Sequence, residues 1–307
     1  MTSAVVFAYH NVGARCLEVL LRCGIDVPLV VTHEDDAGEQ IWFDRVADVA
    51  SAHGIPAIAP ADANAPDVVT RIRELRPDFL FSFYYRRMLA PALLAIPTRG
   101  ALNMHGSLLP KYRGRAPVNW AVVHGERESG ATLHYMAEKP DAGDIVAQSS
   151  VPILPDETAR EVFDKVTAVA VATLDRVLPA LVAGNAPRIP QDLSQGSYFG
   201  GRKPEDGRID WSRPAREIHN LVRAVAPPFP GAFTTVAGEE LRVLRTRIDG
   251  ESTPAGPARL HLDGTRLLAD CGGGGRIEIL AAELSGIPVG PADMAVRLTG
   301  GYLPAAR

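Results

Sequence analysis

Short apolar runs alternate with helically spaced apolar positions through the first hundred residues. Residues 4–9 (Ala-Val-Val-Phe-Ala-Tyr) form a continuous apolar run and predict a buried strand. Cys16, Leu17, Leu20, Leu21 and Cys23 recur at helical spacing and predict a helix over 14–23. The alternation continues with a strand at 27–32, a helix at 43–53 ended by Gly54, and a short strand at 56–59. A helix follows at 66–75, with Pro66 in its first turn, where a missing N–H costs least. Strands at 79–83 and 100–104 complete a βαβαβ rhythm. This rhythm predicts an α/β fold: a Rossmann-like, mostly parallel sheet with helices on both faces.

Beyond residue 106 the pattern changes. Residues 107–116, rich in Pro, Gly, Lys and Arg, predict a loop, and 118–124 a helix. Strands at 132–136 and 145–151 are joined through Pro140-Asp141-Ala142-Gly143. Thr158-x-x-Glu161 forms a capping box before a long helix reaching about Val182, and Gly184-Asn185 are stop signals. The Pro-, Gly-, Ser- and charge-rich stretch 187–208 predicts a linker. A helix over 215–225 and β-type runs at 232–236, 241–247, 258–262, 267–270 and 276–279 predict a smaller OB-like β-barrel domain. The expected division is a main domain at 1–186, a linker at 187–208 and a C-terminal domain at 209–307.

Composition narrows the function classes. A length of 307 residues suits two domains, and 46% apolar with 22% charged residues is ordinary for a globular protein. A net charge of −4 argues against a chain whose main task is gripping nucleic acid. Cys16, Cys23 and Cys271 are sparse and lack CxxC spacing, which predicts reduced thiols, a cytoplasmic location and no thiol metal site. No basic n-region precedes the first apolar run, and no uninterrupted apolar stretch approaches 18 residues, so neither a signal peptide nor a membrane span is expected. His10, His33, His124 and His134 are scattered without ligand spacing, and no metal is expected. The run Gly272–Gly275 has β-type flanks and predicts a mobile hairpin turn rather than a phosphate loop. The first βα turn, His10-Asn11-Val12-Gly13, lacks GxGxxG, so dinucleotide binding has no support.

Candidate chemistry concentrates in Asn103-Met104-His105-Gly106-Ser107-Leu108-Leu109-Pro110. Period two puts Asn103 and His105 on one face of a strand end, where ligands bind in open parallel sheets. A histidine there can exchange protons near neutral pH, and an asparagine amide can donate to a developing oxyanion. A strand-end histidine bonded to a nearby carbonyl explains the same pattern. Asp141, in Lys139-Pro140-Asp141-Ala142-Gly143-Asp144, can orient the histidine or simply form a turn; Asp144 is its local competitor.

These segments resemble the formyltransferases that use 10-formyltetrahydrofolate. The Asn-x-His-x-Ser-Leu-Leu-Pro run, the following Arg113-Gly114 and Asp141 carry the likeness. It is strongest toward the subgroup acting on UDP-4-amino-4-deoxy-L-arabinose, through Val5–His10, Phe81–Arg86, His105–Pro117, Asp141–Gln148 and the Arg223–Phe233 region. The resemblance covers the chain to about residue 235. It implies a catalytic trio of Asn103, His105 and Asp141. It implies folate binding by Arg87, Met88 and Leu89 and by the loop Ala137, Glu138, Lys139, Pro140 and Asp141. Substrate contacts are implied for Arg115, Tyr9 and His10. The co-substrate would be 10-formyltetrahydrofolate, and the partner a small sugar nucleotide in lipid A modification and polymyxin resistance. The subgroup has His at the position of Arg87 and Trp at that of Phe229. A fused decarboxylase domain has no room in these residues, so a stand-alone formyltransferase, or one domain of a longer protein, is expected.

Rival readings on the same scaffold are a methionyl-tRNA formyltransferase and a 10-formyltetrahydrofolate hydrolase. The acidic loop Thr32-His33-Glu34-Asp35-Asp36-Ala37-Gly38-Glu39 disfavours tRNA. A folate- or nucleotide-binding module without turnover stands further off.

Overall fold

The computed structural model describes residues 1–35, 41–250 and 253–295. Residues 36–39 of the acidic loop and the end of the expected C-terminal domain lie outside the described residues. The chain opens with β1 (Ser3–Ala8), α1 (His10–Arg22), β2 (Asp26–Val31), α2 (Val46–Ala52), β3 (Ala57–Ile58), α3 (Pro66–Leu75), β4 (Phe79–Phe83), α4 (Pro91–Leu94) and β5 (Gly100–His105). There follow β6 (Arg113–Gly114), α5 (Pro117–Val123), β7 (Glu128–Tyr135), β8 (Ile145–Pro152), α6 (Ala159–Ala183) and β9 (Tyr198–Phe199). The last part holds α7 (Ala215–Val225), β10 (Ala232–Val236), β11 (Glu239–Asp249), β12 (Arg259–Asp263), β13 (Arg266–Asp270), β14 (Arg276–Leu284), β15 (Ile287–Val289) and α8 (Pro291–Ala295).

Seven strands form one sheet in the order β3-β2-β1-β4-β5-β7-β8. Its centre is parallel, with Ala8 beside Phe83 and Phe83 beside Met104, so the carboxyl ends of β1, β4 and β5 share one edge. Every residue of β4 is buried, as expected of a parallel strand covered on both faces. Val5, Phe7, Leu29, Val31, Leu80 and Ala101 form a core cluster with Val68, Val69 and Ile72 of α3. On the other side of β5 the sheet changes sense: β7 runs antiparallel, pairing Asn103 with His134 and His105 with Thr132.

Local signals mostly set the boundaries. The capping box forms as read: Thr158 N–H donates to Glu161 at 2.7 Å, and Glu161 N–H to the Thr158 hydroxyl at 3.3 Å. Arg99 closes the other end of α6, donating to the carbonyls of Leu181 and Val182. By length and apolarity α6 would suffice to cross a bilayer. In this fold Val162, Val166, Ala170, Leu174, Leu178 and Leu181 are buried along it at helical spacing.

Contacts divide the chain into two units, Met1–Pro117 with Ser129–Val151 and Asp164–Phe199, and Val118–Glu128 with Pro152–Phe163 and the chain from Gly200. Residues 187–199 are part of the first unit, because Ile189 bridges Ile145 and β9 pairs with β6. Segments 118–128 and 152–163 join the second unit. That unit is an antiparallel sheet in the order β10-β11-β14-β13-β12, with β15 on β14 and α7 packed against β11. The turn Gly272–Gly275 is packed rather than free: Gly272 N–H donates to Trp211 O, and Ala215 N–H to Gly274 O.

A Cβ on Gly273 would lie 2.4 Å from the Pro214 nitrogen, whereas one on Gly250 would meet nothing within 4 Å among the described residues. Gly273→Ala is predicted to destabilise the protein by about 1–3 kcal/mol in chemical denaturation, with Gly250→Ala near neutral. Equal effects would show that the turn does not need the close backbone approach.

Candidate active site

The β5 strand delivers Asn103 and His105 to the carboxyl edge of the sheet, and β7 lays His134 and Thr132 directly opposite them. His105 is buried. Its Nε2 lies 2.8 Å from Tyr112 O, and a carbonyl only accepts, so Nε2 carries the hydrogen. The bond to a nearby carbonyl expected of a strand-end histidine is thus part of its geometry. It leaves Nδ1 as the nitrogen facing Asp141, 3.6 Å from Oδ1.

Asp141 sits in the left-handed region at φ 52°, in the loop between β7 and β8. Its Oδ2 accepts Gly114 N–H at 2.8 Å. The Asn103 Nδ2 donates to Oδ1 at 3.4 Å and to His134 Nε2 at 3.1 Å. His134 Nδ1 donates to Tyr135 O at 2.8 Å, which leaves Nε2 as acceptor in the neutral ring, and Nε2 is 3.5 Å from Asp141 Oδ1. Burial alone would raise the Asp141 pKa. The positive charge of His105 in its protonated form, then His134 in its protonated form, whose Nε2–H would turn to Oδ1, and the Gly114 N–H outweigh it and hold the carboxyl well below the usual carboxylate range.

The loop after β5 is stapled so that Tyr112 O stays in place. Thr132 Oγ1 donates to Ser107 O at 2.6 Å and accepts from Leu109 N–H and Gln148 Nε2. Ser107 Oγ donates to Lys111 O at 2.7 Å. Tyr112 N–H donates to Ser197 Oγ, and the Tyr112 ring stacks on Phe199 at 5.4 Å.

The other residues singled out in the sequence are placed less uniformly. Tyr9 and His10 follow β1 at the same sheet edge, both buried. Tyr9 donates to Asp35, and its ring meets His33 and Phe43 edge-on with the Arg86 guanidinium 4.5 Å from its centroid. His10 packs on Trp42 and Phe43, and His33 stacks on Tyr85 at 4.1 Å. Burial, then Arg87 and Arg86, lower the His33 pKa to about 4, so the His33 ring is uncharged at neutral pH. Arg87 and Met88 are exposed, but the Leu89 side chain belongs to the core, so only its backbone can serve a ligand. Asn64 holds that backbone, donating to Met88 O and accepting Ala90 N–H. Ala137, Glu138 and Lys139 are exposed ahead of Asp141, as is Arg115, whose N–H donates to Phe199 O. Among the described residues no group of three or more His, Cys, Asp or Glu is arranged to hold a metal. His134, one of several histidines scattered in the sequence, lies beside Asn103 and Asp141 because β7 pairs antiparallel with β5, a placement that no local signal gives.

A depressed carboxyl adds stability above its unfolded pKa, about 3.9, and that contribution fades as pH falls through the lower folded value. The stability gap between the parent and Asp141→Asn is therefore predicted to be widest near neutral pH and to narrow below about pH 4. Thermal unfolding across pH checks this; a gap that widens in acid would contradict it.

The formyl transferase family profile matches residues 7–178, and the formyl transferase C-terminal domain profile matches 202–295. An N-formyltransferase from Helicobacter canadensis, solved with folinic acid and dTDP-3-aminofucose, superposes with a TM-score of 0.73 at 20% identity, over 91% of this chain and 99% of that one. WlaRD, a sugar 3N-formyl transferase solved with dTDP and 5-N-formyl-THF, gives 0.71 at 18%, over 92% and 98%. HypX from Aquifex aeolicus, in complex with tetrahydrofolic acid, gives 0.62 at 20%, over 97% of this chain and 48% of that one. With profiles spanning most of its length, this chain belongs to the formyltransferase family.

Proposed function

We propose that the chain transfers a formyl group from 10-formyltetrahydrofolate to the 4-amino group of a nucleotide-linked amino sugar, UDP-4-amino-4-deoxy-L-arabinose, in lipid A modification. The observation that carries this reading is the convergence of Asn103, His105 and Asp141 at the sheet edge. Two sugar N-formyltransferases that this chain spans almost end to end support the acceptor class. The choice of UDP-arabinose rests on the motif likeness of residues 81–86, 105–117 and 141–148.

In this reading the neutral sugar amine attacks the formyl carbon. A C–N bond forms, and the carbonyl oxygen becomes an oxyanion. Asn103 has both amide hydrogens engaged within the protein, so it would donate to the oxyanion by giving up the longer, 3.4 Å bond to Asp141. The bond from the formyl carbon to the folate N10 then breaks. N10 takes a proton, and the former amine loses one. With Nε2 committed to Tyr112 O, His105 would exchange these protons through Nδ1. The negative charge of Asp141, 3.6 Å away, stabilises the positive charge passing through the ring. The exposed segment 87–88, the Leu89 backbone and the loop Ala137–Asp141 would hold the folate. Tyr9, His10 and Arg115 would meet the acceptor.

The acceptor is tested by incubating the protein with 10-formyltetrahydrofolate and, separately, the UDP-arabinose amine, a dTDP-4-amino sugar, methionyl-tRNA or no acceptor. Mass spectrometry should find product with the UDP sugar. Product only on another acceptor would replace the substrate, and tetrahydrofolate released without acceptor would indicate hydrolysis. His105→Ala and Asp141→Asn are predicted to lower kcat by about 10²–10⁴-fold with the fold retained by circular dichroism. Full activity in either variant would remove that residue from the mechanism.

A further inference from the structure

The stretch expected to be a linker touches the back of the active-site loop. Ile189 pairs with Ile145 through two backbone hydrogen bonds, Ile145 N–H to Ile189 O at 2.8 Å and the reverse at 2.9 Å. That pairing fixes the register of the residues after it. Two positions on, Gln191 Nε2 donates to Asp141 O at 3.0 Å and to Gly143 O at 2.6 Å. Both hydrogens of the amide nitrogen are therefore committed to one loop. Asp141 needs this help: it is a non-glycine residue at φ 52°, a conformation that persists only where the surroundings hold it. Gly143 lies so close to β7 that a Cβ there would sit 2.0 Å from Tyr135 O, so the loop is pressed between β7 and Gln191.

We propose that Gln191 is a positioning residue, clamping the strained backbone of Asp141 so that its carboxylate stays between His105, His134 and the Gly114 N–H. It touches no reacting group and acts through Asp141 alone. The kinetic part of this inference rests on the functional reading above.

The chemistry of the clamp suggests its own test. Gln191→Glu keeps the shape but sets a carboxylate oxygen against two carbonyl oxygens, while Gln191→Met fills the space with no donor. The readout is the carboxyl carbon resonance of Asp141 in protein labelled with ¹³C-aspartate, assigned through Asp141→Asn and followed against pH. In the parent this resonance should stay that of a carboxylate to well below the usual aspartate range. Both variants should move its titration up toward that range and lower kcat for formyl transfer by tenfold or more, with a folded spectrum retained. An Asp141 titration unchanged in both variants overturns the proposal, even if turnover falls. A shifted titration in a protein whose parent transfers no formyl group would leave the clamp standing and discard the functional reading.

Discussion

The site is organised around one buried carboxylate. Asp141 is held ionised by an amide N–H from the loop after β5, by two imidazoles and by an asparagine amide, and its backbone is bent into the left-handed region to meet them. A carboxylate out of water persists only with such company, since an unpartnered buried charge is costly. The partners come from three parts of the chain, so the position of Asp141 ties together β5, β7, the 106–115 loop and the loop before β8.

The change of sheet sense after β5 makes this possible. A fully parallel sheet would end with Asn103 and His105 at an edge facing only loops. Inserting β7 antiparallel sets His134 across from Asn103 and Thr132 across from His105. Thr132 then staples the chain after β5, keeping Tyr112 O against His105 Nε2 and leaving Nδ1 as the ring nitrogen on the Asp141 side. Packing of β1, β4 and β5 against α3 fixes the floor, and short polar staples aim the groups above it.

Much of this was legible in the amino-acid order because it is local. The strand at 79–83, the helices at 66–75 and 215–225, and the Thr158–Glu161 capping box carry their own signals in apolar period, Pro placement and cap chemistry. Asn103 and His105 are readable from the strand period and Asp141 from its loop, and the likeness to formyltransferases implies that the three act as one trio. What stayed hidden depends on pairing across distance. Nothing near His134 announces that its strand lies antiparallel to β5. The Pro- and Gly-rich composition of 187–199 reads as a connection, because the pairing of β9 with β6 and the bonds of Gln191 to the Asp141 loop are set by register rather than by composition. Likewise the Gly272–Gly275 turn looks loose in sequence, yet Gly272 and Gly273 are needed because Trp211–Pro214 passes too close for side chains, and Gly274 and Gly275 because their φ of 94° and 81° favours glycine.

The most direct test of this account is a single-turnover reaction with 10-formyltetrahydrofolate labelled with ¹³C in the formyl carbon and the UDP-linked 4-amino sugar, quenched and examined by NMR. The account predicts that the label appears as an amide carbon on the sugar nitrogen, in step with formation of tetrahydrofolate. Label recovered as free formate, or left on the folate while enzyme and amino sugar are in excess, would contradict it.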